Sequence, residues 1–134
     1  MKLRFPYGHS IAPHFGIILT IKFWLEVQIN KNNVPFLFML DTGADISSLP
    51  ISAAEKLGID LSKCPKEVMI GYEGTEVSVY RSEIRLKFNK KVVQVPCVFT
   101  PIEHVPILLG RAGILDKFTV TLDGKKKEIR FEEI

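Results

Sequence analysis

From Ile17 to Ile29 every odd position is apolar (Ile17, Leu19, Ile21, Phe23, Leu25, Val27 and Ile29), while the even positions include Thr20, Lys22, Glu26 and Gln28. Period two over this run predicts one strand with a single buried face. Residues 30–33 (Asn-Lys-Asn-Asn) predict a turn, and residues 34–40, apolar on both faces, a second strand in the interior. A loop at residues 41–45 precedes a short apolar run at 46–49. Ser52 and Glu55 have capping-box spacing and Gly58 stands where a C-cap glycine belongs, which predicts a short helix. Strands are predicted at 66–70 and 77–88, around the glycine-bracketed turn Gly71, Tyr72, Glu73, Gly74, and again at 91–100 after Asn89-Lys90. A proline-bounded loop at 101–106 leads to Ile107-Leu108-Leu109-Gly110. Residues 111–117 read as a second short helix, and residues 118–132 as a closing hairpin around Asp123-Gly124. Many short strands, frequent turns and one or two small helices predict an all-β barrel or sandwich.

Length and composition narrow the classes. A chain of 134 residues fits one domain, and 46% hydrophobic with 25% charged residues is ordinary for a globular protein. A formal charge of +3 is too small to argue for nucleic acid. The one basic run, Lys125 to Lys127, follows a turn signal and reads as a solvated hairpin tip. No window approaches the roughly 20 apolar residues of a membrane helix, and residues 1–16 do not read as a signal peptide, so a cytoplasmic protein without membrane partners is expected. Cys64 and Cys97 make no CxxC; a disulfide stays open, with two free thiols as the preferred reading. His9 and His14 lack a neighbouring acid or cysteine motif, His104 reads as a surface residue, and no metal or cofactor is expected. Trp24, on the polar side of the first predicted strand, marks a sheet edge or an interface.

The chemistry concentrates in Phe38-Met39-Leu40-Asp41-Thr42-Gly43-Ala44-Asp45-Ile46-Ser47. An interior strand delivers an acid at its end, followed by a small hydroxyl residue and a glycine that permits a tight turn and close approach of another backbone. Such an acid suits proton transfer, because burial and a like-charged neighbour both favour an acid's protonated form. Asp, Thr and Gly are also common turn residues, and a chance D-T-G arises in about 3% of chains this long. The setting adds weight: an apolar run before it, Ala-Asp after it, and Ile107-Leu108-Leu109-Gly110-Arg111 downstream.

In these landmarks and their order the chain resembles the retroviral-type, or retropepsin-like, aspartic peptidases, and more their cellular and prokaryotic members than the viral ones. The resemblance spans about residues 25–122. It implies a single retropepsin-like barrel domain over 1–134, an aspartic endopeptidase acting on peptide or protein substrates, and a homodimer. Asp41 matches the catalytic aspartate, and Thr42 the residue that interlocks with its twin across the two-fold axis. Gly43 matches a glycine that contacts substrate backbone, and Ala44 completes the loop. Asp45 matches the acid that binds substrate main chain, steadied by an arginine for which Arg111 is the counterpart. Gly71, Tyr72, Glu73 and Gly74 match the flap. No second D-S/T-G is present, so one chain carries half a site. Residues 1–16 have no clear counterpart, and the hairpin at 118–132 departs from the viral pattern of chain ends interleaved between subunits. Two other readings stay open: a catalytically silent dimerisation or peptide-binding module, and a plain β-barrel with an accidental D-T-G.

Overall fold

The computed structural model describes residues 2–70 and 74–134. Its strands are β1 (Lys2–Pro6), β2 (Gly8–Ala12), β3 (Gly16–Thr20), β4 (Lys22–Ile29), β5 (Asn32–Leu40), β6 (Ser47–Pro50), β7 (Lys66–Ile70), β8 (Glu76–Phe88), β9 (Lys91–Thr100), β10 (Ile107–Leu109), β11 (Phe118–Asp123) and β12 (Glu128–Glu133). A helix, α1 (Ile51–Leu57), follows β6. The class is all-β, as the alternation of apolar and polar residues implies.

The main sheet runs β4-β5-β10-β6-β9-β8-β7, and β8 returns to β4 through Glu26↔Lys87, Val27↔Leu86 and Gln28↔Arg85. The sheet therefore closes on itself, which removes most of its free edges. The first half of β8 leaves the ring and pairs with β7 as a hairpin, from Lys66↔Tyr80 to Ile70↔Glu76. Inside the ring lie Phe23, Leu25 and Val27 of β4 and Phe36, Phe38 and Leu40 of β5, all buried at period two. A second sheet, β1-β12-β11, covers one end of this core. Phe131 of β12 is its anchor, fully buried with its ring 5.3 to 5.9 Å from those of Phe88, Phe23, Phe5 and Phe118.

Four local expectations are corrected. The run 17–29 is not one strand: the chain breaks at Ile21, and β3 pairs instead with β2 in a separate two-stranded hairpin, leaving Ile17 and Leu19 exposed. Strand β5 is flanked on both sides, by β4 and β10, yet one of its faces is open, with Leu37 exposed opposite Trp24. Ser52 does not cap α1. Pro50 occupies the N-cap, and the Ser52 N–H and Oγ both donate to the Glu103 carboxylate, the hydroxyl at 2.7 Å. Residues 111–117 form successive turns rather than a helix, because Gly113 takes a left-handed φ of 80° that interrupts helical continuation. The helix stop at Gly58 is as read, with its N–H donating to the Ala54 and Glu55 carbonyls. Residues 1–16, without a counterpart in the sequence reading, supply β1 and β2.

Candidate active site

Two parallel strands set the site. Strands β5 and β10 run side by side, with Leu40 opposite Leu109, so both end at one level and release their loops together. The first loop starts at Asp41, whose N–H donates to the Leu109 carbonyl at 3.0 Å. The second starts at Gly110, whose N–H donates to Oγ of the buried Ser47 at 3.0 Å. The two loops are then laced together: Arg111 N–H to Ala44 carbonyl and Ala112 N–H to Asp45 carbonyl, each 2.9 Å. Gly110 is required by this contact, since a Cβ there would lie 2.5 Å from the Ile46 carbonyl carbon.

Within the first loop the half-buried Asp41 organises its own turn. The Gly43 N–H donates to Asp41 Oδ1 at 2.9 Å, and the Ala44 N–H to the Asp41 carbonyl at 3.2 Å. The Arg111 guanidinium reaches back across both ends of the loop: Nη1 donates to the Thr42 carbonyl at 2.7 Å, and Nη2 pairs with the Asp45 carboxylate. Thr42 and Gly43 are exposed. The Asp45 side chain is 83% exposed, so its pair with Arg111 is a surface pair. Such pairs contribute at most about 1 kcal/mol to a single chain, well below the cost expected for a partly buried one.

The structure thus brings Asp41, Thr42, Gly43, Ala44, Asp45 and Arg111 into one place. Of the four residues matched to a flap in the sequence, Gly71, Tyr72 and Glu73 lie outside the described residues. Gly74 is exposed just before β8. Beside Ala44 and Asp45 opens a cleft of about 350 Å³ walled by apolar side chains, among them Met69 of β7, Val79 of β8, Val98 of β9 and Leu108 of β10. Sequence reasoning missed this wall, although the alternation of Val77 and Val79 marks a face. It also missed Ile102 and Val105, which the 101–106 loop adds to the cleft. No local signal marks the Ser52–Glu103 bond that ties that loop to α1, because its partners are 51 residues apart.

Elsewhere, Cys64 and Cys97 are free thiols, and burial pushes Cys97 up to about 12, with Cys64 and Glu83 nearby adding to the effect. Among the described residues no three His, Cys, Asp or Glu side chains gather as metal ligands do, and no helix is long and apolar enough to cross a membrane.

A family model described as aspartyl protease matches residues 25–112. The chain belongs to the aspartyl protease family. The match takes in the Asp41 loop, β10 and Arg111, the parts that the lacing brings together. Among solved structures this aspartyl protease is similar to a retropepsin-like aspartic protease from Rickettsia conorii, at 20% identity over 98% of this chain and 90% of that one, with a TM-score of 0.64. It is also similar to the EIAV protease complexed with the inhibitor HBY-793, at 21% identity over 69% and 82% of the chains and a TM-score of 0.53. A third is the retroviral protease-like domain of Ddi1 from Leishmania major, at 12% identity over 84% and 94% and a TM-score of 0.55. These likenesses establish a retropepsin-like fold. Among curated proteins no sequence matches.

Proposed function

We propose that this chain is an aspartic endopeptidase that works as a homodimer, each copy contributing Asp41 to a centre of two carboxylates. The observation that carries the proposal is the Asp41 loop, a half-buried acid at the end of β5 fixed through Leu109, Gly43 and the Arg111 bridge. A single D-T-G per chain supplies half of such a centre.

Two carboxylates about 3 Å apart share one proton, because both cannot ionise at that separation. The ionised member takes a proton from a water between them, and the water oxygen attacks the carbonyl carbon of the substrate peptide. The protonated member donates to the carbonyl oxygen, giving a tetrahedral diol without a covalent intermediate. Transfer of a proton to the amide nitrogen then breaks the carbon–nitrogen bond. An extended peptide lies along the cleft beside the β7–β8 hairpin, held through its main chain, with its side chains in the pockets. Asp45 contacts that main chain, Gly43 lies against it, and residues 71–74 close over it. Thr42 meets its twin across the two-fold axis. The apolar wall of Met69, Val79, Val98 and Leu108 favours apolar side chains in the substrate.

The test is cleavage of a diverse peptide library from about pH 3 to 8, with the wild type and Asp41→Asn. We expect cleavage by the wild type and none by the variant, with far-UV circular dichroism and sedimentation unchanged. Full activity in Asp41→Asn removes the assignment.

A further inference from the structure

The β2–β3 hairpin carries large apolar side chains that the described residues leave uncovered. Between Gly8 and Ile21 the sequence holds no Asp, Glu, Lys or Arg. Cross-strand pairs place His9 with Leu19 and Ile11 with Ile17, so Ile11, Ile17 and Leu19 share one face. These are 84%, 72% and 49% exposed, and Phe15 at the tip is 80% exposed. On the other face Ile18 is also exposed. Ile17 and Leu19 continue the period-two pattern of a buried face that Phe23, Leu25 and Val27 complete inside the barrel. The sequence has the composition of a covered surface, and the single chain leaves it bare. A two-stranded hairpin is by itself marginally stable in water.

Its position names the occupant. Strand β3 passes through Ile21 into β4, and the Ile21 carbonyl accepts from the Leu40 N–H at 3.0 Å, one residue before Asp41. The hairpin therefore springs from the end of the barrel that carries the half centre. A second copy bringing its own Asp41 to this one approaches that same end. At the hairpin's root a groove of about 520 Å³ is lined by Tyr7, Trp24 and Leu37, by His9 and Thr20 of the hairpin itself, and by Lys22, with Trp24 63% exposed. Strand β12 lies between β1 and β11 of its own chain, so the last strand is already paired on both sides. The exposed hairpin side chains form an apolar patch on the order of a few hundred Å², the size range in which a surface patch marks an interaction site. A stable interface takes about 800 Å² from each partner, toward which the hairpin and the Trp24–Leu37 face both count.

We propose that β2–β3 is a dimerisation arm that packs, through Ile11, Phe15, Ile17 and Leu19, on a second copy of this chain at the Trp24–Leu37 face. The inference rests on the two-fold centre of the proposed peptidase and names the surface that brings it together. The arm is tested in the full chain by Ile11→Thr combined with Ile17→Thr, and separately by Phe15→Ser. Threonine keeps the β-branched strand preference, and all three side chains are in solvent, so the fold is retained. Sedimentation equilibrium from low micromolar to near-millimolar concentration should show a wild-type dimer whose dissociation constant rises about 30-fold or more in either variant. Hydrogen exchange in residues 8–20 of the wild type should slow as concentration rises, a readout that needs no variant. A dimer indifferent to both variants, or exchange independent of concentration, overturns the inference. So does a wild type that stays monomeric while its arm binds phosphatidylcholine vesicles, which would assign the arm to a lipid surface. A dimer that depends on the arm but cleaves no peptide leaves the inference standing and sinks the peptidase. An active dimer indifferent to the arm does the reverse.

Discussion

Gly110 and Arg111 hold the Asp41 loop in different ways, and the difference is measurable. At Gly110 the constraint is space: an added Cβ meets the Ile46 carbonyl carbon, oxygen and nitrogen at 2.5, 2.7 and 2.9 Å, all backbone atoms of a loop laced at two further points. Gly110→Ala should lower the unfolding free energy by about 3 kcal/mol and displace the loop that carries Asp41. Gly124→Ala, where nothing lies within 4 Å, is the control; urea unfolding of the two side by side decides, and equal midpoints would discard the steric account. At Arg111 the constraint is charge and reach, from the Thr42 carbonyl to the Asp45 carboxylate. The sequence displayed these residue types well, because D-T-G-A-D and L-L-G-R are short and local. It did not display that the Asp45–Arg111 pair lies in solvent, since exposure is decided by what the rest of the chain leaves uncovered.

Elements were legible where the signal is local: β-forming residues in a short run bounded by turn residues, even in β7, which is exposed throughout. Residues 66–70, 91–100 and the closing hairpin all fall where alternation and turn residues put them. The failures have separate causes: a neighbouring strand that captures β3, a left-handed Gly113, and, at Ser52, a partner 51 residues away. Apolar alternation gave no warning that β3 would leave the core sheet for β2. The capping-box spacing at Ser52 gave way to a carboxylate supplied by the 101–106 loop. That tie makes α1 and one wall of the cleft a mechanical pair. Glu103→Ala removes an acceptor at the start of α1, at a cost of about 1 kcal/mol, and releases Ile102 and Val105 from their tether. Thermal unfolding should report the loss. For a cleaved peptide with apolar side chains, KM should rise more than kcat falls, and an unchanged KM would argue that the loop holds its place without the bond.

At the scale of the molecule, the closed ring and the β1-β12-β11 sheet meet on a shared aromatic core, and an ion cluster secures the far side of that sheet. Asp123 accepts from the Lys126 N–H at 2.9 Å, from Arg130 Nη1 at 2.7 Å and from the Lys125 N–H at 3.0 Å. The Lys126 N–H first, and then Arg130, hold its carboxyl down at about 2, against about 3.9 in an unfolded chain. A lowered folded value stabilises the fold fully above the unfolded value, and the contribution is lost as pH falls through the folded one. The stability difference between wild type and Asp123→Asn should thus be constant above about pH 5 and shrink toward pH 2, as followed by denaturant titration across that range. A gap that persists undiminished at pH 2 would contradict the assignment. The sheet so secured has another consequence. Because the first strand finds the last within its own chain, every strand of the barrel end is in place before a second molecule arrives. For the proposed dimer this predicts unimolecular folding, with assembly of the centre as a separate, bimolecular event. Dilution of the proposed dimer is expected to separate its two Asp41 residues and leave two folded, inactive halves.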